Sequence, residues 1–477
     1  MSTGSEAGNA YQGKAREVFG EVCIDKSLFI RSGIFARSIP TFVGEWILDR
    51  FCPDGNLDQA VQQKIDEFIR SHLPRKDQKQ EMRNRLVEGE TITVLDHFTV
   101  FVDLKTGLRK VHVPCIDENG FIESNLLHQY PRLLGGGLWG AGKITWHGPD
   151  GQTSRGGEVW LTEFRPLQVS KLDLDYYCEQ RSEFTLNEWR ELLVNSMGYN
   201  PAAYTPIQQL WLLTRLVPIV QPRTNLIELA PKGTGKSFVF SNLSRYVRML
   251  SGGKVTAAVL FYNLASNTPG LLTQYDLVAF DEAQTISFDN PGEVVGVLKD
   301  YLESGRYTRG RQGATADCGV IFLGNIPIDS GGKPRNPIVF QNLPAFLQET
   351  AFIDRLHGLL PGWDLPRVKA NSAAQGTAFK ADFFGEVLHA LRDRAGYVEY
   401  VSEHVRITGT DDMRDRKAVE RVAAGYLKLL FPDLRVTSDE LFAYCIQPAI
   451  VLRQQIRDQL CKMDQEYKVL TIGAEVF

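Results

Sequence analysis

No two cysteines in this chain stand in C-x-x-C spacing. The seven present, Cys23, Cys52, Cys115, Cys178, Cys318, Cys445 and Cys461, are scattered over 477 residues. An odd, dispersed set suits neither a zinc framework nor a disulfide scaffold, and reads as reduced thiols. Long apolar runs are missing too. WLLTRLVPIV is broken by Arg215 and Pro218, so it falls short of a bilayer span. The opening MSTGSEAGNAYQGKAREVF has no apolar centre of a secretion signal. The expectation is a cytoplasmic chain with no membrane association. Nor is there an excess of one charge: 53 Lys and Arg stand against 57 Asp and Glu, a formal net charge of -4. Any nucleic-acid binding must therefore come from a local basic surface. Repeats and low-complexity tracts are absent as well.

What is present is an ordinary globular composition, 43% hydrophobic and 23% charged, in a chain too long for one core. Two or three domains are expected. Residues 1–20 are small and polar and read as a flexible N-terminus, disordered or loosely docked. Residues 21–175 read as an N-terminal α+β domain. Its helices fall in 40–73, where Val61, Ile65, Phe68 and Ile69 recur at helical spacing. Then TITVLDHFTVFVDLKTGLRKVHVPCI alternates apolar and polar residues and turns at Lys105-Thr106-Gly107, as a β-hairpin does. A small β-sheet or OB-like barrel near 88–170 is expected, as a candidate DNA-binding element. Thr185 and Glu188 fit a capping box. Residues 185–367 read as one core: two helices lead into strand NLIELA, and from there strands and helices alternate to about residue 365, which predicts an α/β core with a parallel sheet and helices on both faces. Residues 375–477 read as a purely helical lid.

Chemistry concentrates in the α/β core. Strand NLIELA runs into PKGTGKS, and SFVFSNLSRYVRML follows as an expected helix ending at Gly252-Gly253. A Gly-rich turn between strand and helix aims backbone N–H groups at phosphate. Pro231, Lys232, Gly233, Thr234 and Gly235 form that turn. Lys236 reaches the β/γ-phosphates of ATP, and Ser237 ligates Mg2+. The usual first glycine is replaced by Ala230, at the strand exit, where a methyl group disturbs no phosphate contact. In LVAFDEA, Asp281 would hold Mg2+ and Glu282 would polarise the attacking water. GVIFLGN puts Asn325 at a strand end, ready to touch the γ-phosphate or orient the water. In ETAFIDRLHGLLPGW, Arg355 is a candidate finger for a neighbouring subunit's site, or else an ion-pair partner of Asp354 or Glu349. In the lid Arg414 is the candidate for contacting the nucleotide in cis, with Arg416 and Arg421 as rivals and a salt-bridged helix face as the alternative.

This order of strand, phosphate loop, Asp-Glu strand, Asn strand, Arg and helical lid resembles the AAA+ superfamily of P-loop ATPases. A finger supplied in trans implies a homo-oligomeric ring, most often a hexamer. More closely, ELAPKGTGKSFVFSNLS, SGGKVT, FDEAQTISFD, YLESGRYTRG, FLGNI, TAFIDRLHGLLPGWDLP and GYLKLLFPD, with YPRLLGGGLWG upstream, resemble the Lon-related ATPase of BREX phage-exclusion systems, the BrxL family. The resemblance runs from about residue 40 to 470. It implies an ATPase core similar to that of MCM replicative helicases, in a single or double ring that binds double-stranded DNA, with other BREX proteins as further partners. Long members add a Lon-type protease domain. This sequence stops at Phe477, so proteolysis is not carried over.

The residues themselves bear on what such a ring would handle. LASNTPGLL, before the Asp-Glu strand, has no aromatic next to a glycine, against the habit of protein-threading rings. SGRYTRGRQGATADCG carries Arg306, Arg309 and Arg311 between glycines. The expectation is a hairpin that lines a channel with Arg309 and Arg311, against the alternative of a solvated loop. Phosphate contacts of that kind are sequence-independent and salt-sensitive. The leading expectation is a DNA-encircling, DNA-translocating ATPase. A protein-remodelling, chaperone-like ATPase and an ATP-gated assembly scaffold are the alternatives.

Overall fold

The computed structural model describes residues 10–34, 39–73, 76–103, 106–134, 137–149, 156–167, 172–264, 268–310 and 312–477. There are two compact units: residues 28–169, and the N-terminal segment joined with residues 170–477. Among the described residues no helix is long and apolar enough to cross a membrane.

The N-terminal segment is a helix, Ala10–Phe19, followed by strand β1 (Cys23–Asp25). Tyr11, Ala15 and Phe19 recur every fourth position and are buried, with the Phe19 ring 4.9 Å from that of Phe379. Lys14 pairs with Glu188 at 2.9 Å. Of the two expectations for residues 1–20, disorder or loose docking, the described part is docked, and more firmly than expected. One apolar stripe is enough to dock ten residues, and polar composition hid it.

In the second unit, helices Thr41–Phe51 and Gln59–His72 precede a barrel. Its strands are β2 (Ile92–Asp103), β3 (Leu108–Val113), β4 (Glu118–Ile122), β5 (Leu138–His147) and β6 (Glu158–Pro166). They close in the order β2-β3-β4-β6-β5, with β4 and β6 parallel. The small barrel expected near 88–170 is thus present as five closed strands. Alternate residues such as Val94, Phe98, Val100, Val111, Ile144 and Leu161 fill the interior, as period-2 patterning requires. The β2–β3 turn uses Gly107 at φ 70°; Lys105 lies outside the described residues.

The main unit is built on strands β7 (Asn225–Ala230), β8 (Val247–Val255), β11 (Leu277–Phe288), β14 (Gly319–Asn325) and β15 (Gly358–Pro361). Two hairpins lie among them: β9 (Tyr262–Asn263) with β10 (Thr268–Pro269), and β12 (Arg306–Arg309) with β13 (Gln312–Thr315). The five-stranded sheet runs β15-β7-β14-β11-β8, every pair parallel. Alternate strand residues feed two cores. Leu226, Leu277, Ala279 and Ile321 join one, with helices Leu186–Ser196, Pro206–Thr214 and Ala381–Asp393. Ile227, Val278, Phe280 and Phe322 join the other, with helix Pro291–Ser304. Both faces of the sheet are thus covered, as all-parallel sheets require.

Two secondary-structure expectations fail. The helix after the loop stops at Asn242, and Val247–Val255 is strand β8 on the sheet edge, in register with β11 from Val247 opposite Leu277. Pairing with a buried neighbour outranks the local helical pattern. Nor are residues 375–477 purely helical. β16 (Thr377–Phe379) pairs with β1, and β17 (Val405–Thr408) pairs with β18 (Gly473–Val476). Strands of three or four residues are too short to show a period.

Candidate nucleotide site

β7 is buried along its whole length and delivers the chain to the turn at the carboxyl end of the sheet. Gly233 and Gly235 hold φ of 84° and 77°, a left-handed region that other residues enter at a cost. The Ala230 methyl is accommodated because its neighbour is Gly362. A Cβ on Gly362 would come within 2.6 Å of it. The replacement of the usual glycine is thus matched by a glycine on the chain leaving the adjacent strand.

Lys236, 7% exposed, opens helix Lys236–Asn242. Its Nζ donates to the Pro231 carbonyl at 3.2 Å and to Asn325 Oδ1 at 2.9 Å. Among the described residues it has no carboxylate partner. Burial pulls its pKa below the ordinary lysine value; Glu228 pulls back, Arg215 adds to the depression, and Asp281 opposes it. Asn325 comes from β14, beside Ala230 of β7. Its own N–H donates to Gln284 Oε1 at 3.1 Å. Gln284 carries no sequence signal beyond its place in FDEAQ, on the strand two after Glu282.

Asp281 and Glu282 lie on β11, which neighbours β14 rather than β7. The ladder to β8 breaks between Asp281 and Ile286. Glu282 takes φ 50°, unusual for a residue with a side chain, and its N–H donates to Asp281 Oδ1 at 2.9 Å. A Cβ on Gly252 would lie 2.9 Å from Thr285 Oγ1 and 3.5 Å from Glu282 Oε2. The glycine on the neighbouring strand therefore leaves room for the acidic bulge. Backbone strain of this kind is typical of sites where a side chain must be aimed. Ser237 and Asp281 provide a hydroxyl and a carboxylate, the hard oxygen donors that Mg2+ takes beside phosphates and water. No cluster of three His, Cys, Asp or Glu forms a complete protein cage among the described residues.

Arg355 and Arg414 sit at the other end of the sheet. His357 exchanges hydrogen bonds with Asn225, the first residue of β7, at 2.7 and 2.9 Å. Arg355, two residues earlier, is thereby separated from the loop by the length of β7, roughly 17 Å at ~3.3 Å per residue. Its Nε lies 3.4 Å from Glu303, and it donates to the Ala351 carbonyl. The expected rivals have other partners: Glu349 holds Lys299, and Asp354 holds Arg414 and Arg453. Arg414 donates to Asp354 at 2.7 Å and to Glu303 at 3.0 Å. Its expected contact with the nucleotide in cis is corrected: it belongs to the Arg355 group at the amino end. Arg416 holds Thr410 and Asp411, and Arg421 reaches the Arg223 carbonyl. Arg453, almost wholly buried, fixes the arrangement by binding both Asp354 and Asp415.

The expected arginine hairpin forms as β12–β13. Arg306 is exposed. Arg309 does not project freely. It donates to the Tyr262 carbonyl of the β9–β10 hairpin and lies 3.7 Å from Glu293. Tyr307 likewise donates to the Phe261 carbonyl at 2.9 Å, so the two hairpins are stitched together. Arg311 lies outside the described residues.

A parallel α/β core, a left-handed glycine turn, a buried lysine on an asparagine amide and an aimed Asp-Glu pair define the class, an ATPase-type domain. Residues 159–472 match the family model described as "Lon-like protease BrxL-like, ATPase domain", and residues 17–146 match "BREX system Lon protease-like protein BrxL N-terminal". The chain belongs to the BrxL family. It is 30% identical over 436 residues to the Lon-like protease BrxL of Bacillus cereus (strain H3081.97), covering 89% of this chain and 63% of that one. It is 28% identical over 430 residues to the Lon-like protease BrxL of Escherichia coli O9:H4 (strain HS), covering 89% and 61%. The chain thus spans about three-fifths of the length of these curated relatives.

Proposed function

We propose that this chain is a ring-forming AAA+ ATPase that binds and translocates on double-stranded DNA in BREX-type phage defence. The observation that carries the reading is the division of labour between the sheet ends: Lys236 and the loop lie at one, Arg355 and Arg414 at the other. A chain so built completes its site only when a second copy brings its arginines to the first copy's phosphates. A closed head-to-tail ring does this for every subunit.

In the proposed site Pro231 to Gly235 wrap the phosphates of ATP and Lys236 neutralises their β/γ charge. Ser237 and Asp281 would hold Mg2+, which on binding spreads phosphate charge and orients the oxygens. Glu282 takes a proton from the attacking water. Asn325 carries the hydrogen-bond link from Lys236 to that water. Arg355, with Arg414 beside it, offsets charge that builds on the neighbour's phosphates. Arg306 and Arg311 are the candidate DNA contacts, with Arg309 as the tether of their hairpin. The OB-like barrel is a second candidate surface for nucleic acid.

Filter binding of duplex DNA across a salt series tests the DNA part. Affinity should fall steeply with salt, and Arg306→Ala/Arg311→Ala should flatten the slope by roughly 0.9 for each DNA phosphate that these arginines neutralise. Binding indifferent to salt, or to both substitutions, would sink the channel reading. ATPase activity that rises with unfolded protein and not with DNA would favour a remodelling role instead.

A further inference from the structure

Three consecutive carbonyls of the phosphate loop are held by three different parts of the chain. The Val368 N–H donates to the Gly233 carbonyl at 2.8 Å. Arg215 Nη2 donates to the Thr234 carbonyl at 3.3 Å. The Tyr199 hydroxyl donates to the Gly235 carbonyl at 2.8 Å. The last two braces are themselves joined, since Arg215 Nη1 donates to the Tyr199 hydroxyl at 2.9 Å. Arg215 is then locked from below by Glu228 on β7, in a two-pronged pair at 3.0 and 2.7 Å with both side chains fully buried.

In a planar trans peptide the C=O of one residue points opposite to the N–H of the next. Holding the carbonyls of Gly233, Thr234 and Gly235 on the protein side therefore turns the N–H groups of Thr234, Gly235 and Lys236 outward. Among the described residues none of these three N–H groups has a hydrogen-bond partner. The braces also stand close: a Cβ on Gly235 would come within 2.9 Å of the Tyr199 hydroxyl and 3.1 Å of Val368. The glycine at 235 thus serves contact with the braces from behind as well as the left-handed turn.

We infer that Tyr199 and Arg215, with Glu228 as their anchor, are positioning residues that set the loop amides toward a polyphosphate. This rests on the reading of the loop as a nucleotide site and adds residues outside the P-loop motif to it. A buried ion pair by itself is weak evidence of stabilisation; here its geometry is spent on two acceptors in the loop. Because the braces act on the phosphate-binding amides and touch no reacting atom, they govern binding and not the chemical step.

The test compares wild type, Tyr199→Phe and Arg215→Lys in the full chain, by titration with ATP and with inorganic tripolyphosphate, and by steady-state hydrolysis. Tyr199→Phe keeps the ring and deletes the hydroxyl, which is both the donor to the Gly235 carbonyl and the acceptor of Arg215 Nη1. Its affinity for ATP and for tripolyphosphate should fall by the same factor, at least about fivefold, the net worth of the one hydrogen bond lost from the loop. KM should rise while kcat at saturation stays unchanged. Arg215→Lys keeps the charge opposite Glu228 but loses the planar fork, and should weaken both ligands by about tenfold or more. A structural role alone would lower the melting temperature and leave the affinity of the folded protein unaltered. Wild-type affinities in both variants would overturn the inference while sparing the nucleotide site. A wild type that binds neither ATP nor tripolyphosphate would overturn both.

Discussion

The two ends of the parallel sheet treat positive charge in opposite ways. At the carboxyl end Lys236 donates only to neutral oxygens among the described residues, and three loop N–H groups are without partners there. At the amino end the cations are matched. Arg414 binds Asp354 and Glu303, Arg453 binds Asp354 and Asp415, and Arg355 approaches Glu303. The first end is incomplete without an anion. The second is self-sufficient in one chain and reaches a phosphate only by exchanging partners. The largest expected effect tests that division. Arg355→Ala should leave ATP affinity unchanged and lower hydrolysis by roughly a thousandfold, the scale of a missing arginine finger. Mixing Arg355→Ala with Glu282→Gln subunits should restore part of the activity, since some interfaces then pair an intact finger with an intact base. Absence of restoration would break the shared-site reading.

Lys236→Ala sharpens the contrast from the other end. It removes charge-assisted hydrogen bonds worth about 1.5–3 kcal/mol each, so ATP affinity should drop roughly a hundredfold in a titration. It also removes a buried cation that has no ion-pair partner among the described residues, so the empty protein should not become less stable. The pH dependence has a definite sign. The cationic form binds phosphate, and burial has lowered the lysine's pKa. ATP affinity should therefore weaken as pH rises through a value below the ordinary lysine range, and Lys236→Arg should remove that decline. An affinity flat to high pH in wild type would contradict the lysine's role.

What could be read in the sequence follows the same division. The carboxyl-end features sit on contiguous motifs, PKGTGKS, FDEA and FLGN, each following or closing a buried apolar run, and the structure brings Lys236 and Asn325 into hydrogen-bond contact. The alternation of TITVLDHF and its successors likewise announced the barrel strands. Most of the misses are nonlocal. Arg414 carries no local sign that Asp354, far away in the chain, holds it at the amino end. Tyr199 and Arg215 brace the loop from before β7, and neither belongs to a motif. β8 is a strand because β11 lies beside it, and β16 because β1 does. Helical periodicity could not anticipate either partner.

The smallest expected effect falls on Glu303, a carboxylate that Arg355 and Arg414 share. It closes helix Pro291–Ser304, immediately before the arginine hairpin at Arg306. Being 43% exposed, it lends little stability, and Glu303→Gln should shift the melting free energy by less than about 1 kcal/mol. Its kinetic consequence depends on what the pairing does. If Glu303 holds the two arginines back from an incoming phosphate, the amide, which accepts more weakly and carries no charge, releases them. Hydrolysis at saturating ATP should then rise, by about twofold to fivefold for a barrier change below ~1 kcal/mol, with affinity unaltered. If Glu303 instead holds them in the pose that reaches the neighbour, the same substitution lowers kcat, and the amino end is preset rather than poised for exchange. The direction of that one change decides between a matched pair that must be broken and a matched pair that is already the working form.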